Sequence, residues 1–133
     1  MSASAPGDAT DWLLVACGVH SLAFAGFHLG FSRLFDWPRS LQSTTRVNRA
    51  VLQIANAQLV WVFAAVALAC LLMPGPLATT PLGRALLGAM AVFWWLRLAL
   101  QFVWLRLRRW QVHVLSAIFL LGGLLFTAAA LRG

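Results

Sequence analysis

Four long apolar stretches make up most of this chain, and short polar or proline-bearing breaks separate them. The first runs from Asp11 to Phe35, interrupted by His20, Ser21, His28, Ser32 and Arg33. It is expected to be capped by Asp11 and to stop at Asp36-Trp37-Pro38, because a proline cannot continue a helix. The second runs from about Val47 to Met73. Ser43, Thr44 or Thr45 can supply its N-cap, and Pro74-Gly75-Pro76 ends it, leaving residues 77–80 as an uncharged loop. The third begins at Pro81, a residue tolerated in a first helical turn, and reaches about Leu107. A basic group of Arg106, Arg108 and Arg109 with Trp110 then leads into the fourth, from Gln111 to about Leu131. Each stretch has the roughly 20 residues that an α-helix needs to cross a bilayer. The expected fold is all-α, an integral membrane up-and-down four-helix bundle. Its spans fall at about 11–35, 47–73, 81–107 and 111–131, within one domain over residues 11–133. The small and polar residues 1–10 read as a disordered tail, and with no basic region ahead of it the first stretch reads as a retained span.

Composition agrees with lipid as the solvent, since 62% of the 133 residues are hydrophobic and 10% are charged, against about 25% charged in soluble domains. The formal charge of +7 comes from ten basic residues against Asp8, Asp11 and Asp36. Apart from Arg97, the basic residues cluster beside the ends of the apolar stretches, a pattern of topology and headgroup contact that argues against nucleic acid as a partner. Arg33, Arg39, Arg46 and Arg49 flank the first connection and Arg106, Arg108 and Arg109 the third, whereas the second has Arg84 alone. The positive-inside rule then puts connections one and three in the cytoplasm and both termini outside (N-out/C-out), in a bacterial-type inner membrane. Trp12 falls at one interface and Trp37, Trp104 and Trp110 at the other, while Trp61, Trp94 and Trp95 lie too deep for an aromatic belt. Cys17 and Cys70 lack a CxxC spacing and read as buried thiols in the outer half, where pairing is also open to them.

Polar side chains at membrane depth are costly, so they carry the information. His28, Asn56, Arg97 and Gln101 fall in the cytoplasmic half, with Asn48, Arg49, Gln53, His113 and Ser116 nearer that boundary. Trp94, Arg97, Gln101, Trp104 and Arg108 repeat at three and four residues and form one stripe. His113, Ser116, Leu120, Gly123 and Thr127 form a matching stripe on the fourth span, expected to face the third. Gly26 and Gly30 make a G-x-x-x-G spacing that would let a helix approach beside His28.

Arg97 has no acidic partner in any span, and its planar fork of donors suits a phosphate or carboxylate. The expected ligand site is Arg97, Gln101, Asn56, His28 and Trp94, taking an amphipathic or anionic small molecule or lipid, with transport as an extension. An alternative is electron transfer through haem b held by His28 and His113, since His20 and His28 stand about 12 Å apart along one helix and cannot share an ion. A second alternative is a non-catalytic accessory subunit of a membrane complex. Membrane lipids, a homo-oligomer or a partner membrane protein are the expected partners. No H-E-x-x-H or G-x-S-x-G is present, so no catalytic or metal residues are assigned, and the cofactor is left open.

Overall fold

The structure, a computed structural model, describes residues 8–105 and 108–132. Residues 1–7 of the expected tail, and Arg106 and Leu107 at the end of the third expected span, lie outside them. Every regular element among the described residues is helical, and four helices are long and apolar enough to cross a membrane. These are α1 (Asp8–Leu29), α4 (Arg46–Leu72), α6 (Pro81–Trp104) and α7 (Trp110–Leu131). Three short helices, α2 (Phe31–Leu34), α3 (Trp37–Ser40) and α5 (Pro74–Thr79), fill the first two connections.

Local chemistry sets the ends. Thr45 caps α4 by accepting from the Asn48 backbone N–H at 3.2 Å, and Thr80 caps α6 by accepting from the Gly83 N–H at 2.9 Å, with Pro81 in the first turn. Several boundaries depart from expectation. The α1 helix already runs from Asp8, so Asp11 falls inside it and not at its cap. It ends at Leu29 because Gly30, with ψ near zero, tightens the turn into a bond to the Phe27 carbonyl at 3.1 Å. Pro38 opens α3 instead of closing a span; the reversal falls at Asp36, held in the left-handed region at φ 48°, which short polar residues tolerate. Pro74 and Pro76 likewise start a short helix in place of the expected loop.

The long helices pair as α1 with α4 and α6 with α7, and the pairs meet chiefly through α1 against α7. Gly18 of α1 lies against Leu71 of α4 while His28 meets Asn56, so the two run in opposite directions. Gln101 meets Ser116 and Trp95 meets Thr127 along α6 and α7, with the same consequence. At the centre Trp94, fully buried, touches all three other long helices: Phe24 of α1 at 4.6 Å, Phe63 of α4 stacked at 5.5 Å, and Phe119 of α7 at 5.8 Å. Trp37, expected at the interface, is buried instead, whereas Trp12, Trp104 and Trp110 are exposed. Cys17 and Cys70 are buried free thiols.

Close helix approach does not use the G-x-x-x-G pair. A Cβ on Gly26 would meet nothing within 4 Å, because that position faces outward. The tightest positions are Gly83, where a Cβ would come within 2.5 Å of the Leu77 backbone, and Gly122, within 2.6 Å of His20, followed by Gly18 against Leu71 and Gly123 against Trp95. Gly83→Ala and Gly122→Ala should therefore each lower stability by about 1–3 kcal/mol through overpacking, with Gly26→Ala neutral. Thermal aggregation midpoints in detergent test this, and a Gly26→Ala loss matching the other two would refute it.

Candidate functional site

Below Trp94, toward the end that carries the first and third connections, the two helix pairs part and leave a cavity of about 710 Å³. Aromatic and aliphatic side chains wall it, among them Phe24, Phe27 and Phe31 of α1 and α2, Phe63 of α4, and Ile118 and Phe119 of α7. Its polar lining comes from His28, Arg97, Arg109 and Gln111. The volume falls in the range of about 300–1,000 Å³ usual for small-molecule sites, and so does the composition of mostly apolar walls with few polar groups.

Arg97 is half-buried on α6, with its guanidinium carbon 4.5 Å above the Phe119 ring. This cation–π contact places the charge over the ring without a hydrogen-bond acceptor for the guanidinium donors. Among the described residues Arg97 has no hydrogen-bond or ion-pair partner, and the one ion pair, Arg39 with Asp36 at 3.6 Å, is exposed and far along the chain. Arg97 also borders a second hollow of about 420 Å³, with Leu100, Gln101, Trp104 and Leu105.

His28 is held differently. The Asn56 amide nitrogen donates to the His28 backbone carbonyl at 2.9 Å, and the Asn56 side-chain oxygen lies 2.8 Å from His28 Nδ1. A carbonyl can only accept, so the amide orientation is fixed, and its oxygen demands a proton on Nδ1. Neutral His28 therefore carries its lone pair on Nε2, the nitrogen away from Asn56. Phe31 stacks on the ring at 4.0 Å and restrains it further.

Of the residues expected to form the site, Arg97, His28 and Trp94 border one cavity, while Asn56 and Gln101 do not. Asn56 acts on His28 instead. Gln101, buried, turns to α7, donating to Ser116 Oγ at 2.7 Å and to the Val112 carbonyl at 3.2 Å. Trp104 and Arg108 of the expected stripe are exposed, since α6 ends at Trp104 and the helical spacing stops there. The fourth-span stripe does meet α6 through Ser116, Gly123 and Thr127, whereas His113 and Leu120 are exposed. His113 is not part of the cavity lining, so His28 and His113 do not converge. A haem b shared by both would require His113 to leave its exposed face. Asn48 and Gln53 are also exposed, and Arg49 donates to the Thr44 carbonyl at 3.4 Å.

The phenylalanines and Arg109 were not singled out from sequence, although Phe24, Phe27, Phe31 and Phe35 repeat at three and four residues and mark one helix face. Above the cavity His20 Nε2 donates to the Ile118 carbonyl at 3.1 Å. His20 Nδ1, Ser21 Oγ and Trp94 Nε1 are buried without partners among the described residues.

No protein family, curated protein or solved structure matches this chain, and the chemistry of the cavity is argued from its own geometry. Asn56→Leu should release the His28 ring, mix its two tautomers and lower stability by about 1–2 kcal/mol, the worth of interhelical hydrogen bonds in membranes. Nitrogen NMR of the imidazole reads this directly; a single unchanged tautomer in Asn56→Leu would show that Asn56 does not set it.

Proposed function

We propose that this chain binds an amphipathic anionic molecule in the cavity beneath Trp94, as a four-span protein of a bacterial cytoplasmic membrane. In this reading the helices form an up-and-down bundle with both termini outside, and the cavity opens toward the cytoplasmic leaflet. The supporting observation is the environment of Arg97: a guanidinium in the wall of an aromatic cavity, resting on Phe119, with no acidic or hydrogen-bonding partner among the described residues.

The division of labour follows from the lining. Arg97 grips a phosphate or carboxylate through two parallel N–H donors, the geometry that suits its planar fork. Arg109, exposed at the rim beside Trp110, adds positive charge where an anion would enter from the headgroup region. His28 offers an acceptor on Nε2 to a hydroxyl or other donor on the same polar end. Acyl or ring carbons of the ligand would lie on Phe24, Phe63, Trp94 and Phe119. A partner-subunit role for Arg97 draws less support, because its guanidinium borders a cavity and not an outward helix face.

The test is retention of a defined probe, a medium-chain alkyl phosphate or the matching carboxylate, followed by native mass spectrometry in mild detergent. Arg97→Met should weaken binding by about tenfold or more, in keeping with about 1.5–3 kcal/mol for a hydrogen bond to a charged group. Arg97→Lys should fall between, because an ammonium lacks the planar fork. Ile118→Trp should block binding by filling the cavity while leaving Arg97 in place. Equal retention by wild type, Arg97→Met and Ile118→Trp would overturn the reading.

A further inference from the structure

The outward face of α4 differs from those of the other long helices. Along it Val51, Ile54, Gln58, Trp61, Ala65 and Leu68 repeat at alternating three and four residues, and none of them is buried. The face α4 turns to α1 and the core carries Phe63, Val66, Ala67 and Cys70. At 100° per residue Gln58 and Trp61 lie about 140–160° around the helix from that packed face. Gln58 sits one residue short of the midpoint of the 27-residue α4, about 20 Å from either end, so its short side chain cannot reach either boundary. Trp61, 67% exposed, is equally far from the headgroup level that suits an indole N–H. Among the described residues neither side chain has a hydrogen-bond partner. The outward faces of α1, α6 and α7 carry exposed apolar side chains around the middle of their helices, among them Leu22, Val92, Leu96 and Leu124.

An amide exposed to acyl chains at mid-depth lacks any solvent that can satisfy it. A glutamine is self-complementary, having both a donor and an acceptor, and a two-fold axis brings each residue of a face opposite its own copy. The three-four repeat is the seam of a left-handed helix pair, in which one central polar residue fixes register and partner number. We propose that two copies of this chain associate through the outward face of α4, with the Gln58 amides hydrogen-bonding across the axis and the Trp61 rings packing beside them. The interface lies on the opposite side of α4 from the cavity, so it stands independently of the ligand-binding reading.

Oxidative crosslinking in native membranes tests the geometry while keeping Gln58. Ile54→Cys and Ala65→Cys should each give a covalent dimer, whereas Leu96→Cys and Leu124→Cys, on outward faces of α6 and α7, should not; the native thiols are buried and silent. Gln58→Leu should weaken dimerisation by about three- to tenfold, the range expected for an interhelical hydrogen bond, and Gln58→Asn should preserve most of it. Retention of the alkyl phosphate by Gln58→Leu should match wild type. Crosslinking at Leu96→Cys or Leu124→Cys as strong as at the α4 positions, or Gln58→Leu associating as well as wild type, would overturn the proposal.

Discussion

The arrangement depends on a single indole. Lipid chains are as apolar as leucine, so the four helices gain little from burying apolar surface against each other and must be held by close packing and hydrogen bonds. Trp94 supplies the contact shared by all four, its ring packed against those of Phe24, Phe63 and Phe119 from the other three long helices. Toward α5 the helices close on small residues, with Gly18 against Leu71 and Gly83 against the Leu77 backbone. On the opposite side of the ring the two helix pairs part. The same side chain thus belongs both to the centre of the core and to the lining of the cavity.

The helices were legible in the sequence because their length and apolarity are dictated by a membrane's thickness, and the starts of α4 and α6 because Thr45 stands where orphan N–H groups need an acceptor and Pro81 is tolerated in a first turn. Which small residues permit close approach was legible in part: Gly123, in the stripe expected to face α6, does lie against Trp95. Gly26 and Gly30 have the favoured spacing, yet spacing along one helix does not reveal which neighbour, if any, faces it; Gly18, Gly83 and Gly122 are further positions with neighbours at close range. For the site, Arg97, His28 and Trp94, expected together, do border one cavity, whereas Gln58 and Trp61, polar or oversized groups also deep in a span, face outward. Asn56 and Gln101 turned inward, but toward Nδ1 of His28 and toward Ser116. One-dimensional order shows that an amide needs a partner and does not show which partner reaches it first. Phe24, Phe27 and Phe31 were passed over because apolar residues in an apolar helix stand out only when a face, and not a composition, is counted.

Three polar contacts divide the helix pairings among them. His20 joins α1 to α7 through the Ile118 carbonyl, His28 joins α1 to α4 through Asn56, and Gln101 joins α6 to α7 through Ser116. Each places a buried polar group where it fixes one helix against another, so each is accounted for by architecture alone. Arg97 is not part of this pattern. It lies one turn from Gln101 on α6, within the same stripe, yet its contact is with the face of Phe119, which orients a guanidinium without saturating its donors. The two histidines and two amides each find at least one partner on a neighbouring helix, with His20 Nδ1 and Gln101 Oε1 left over, whereas the guanidinium of Arg97, on the wall of a cavity, finds no hydrogen-bond or ion-pair partner among the described residues.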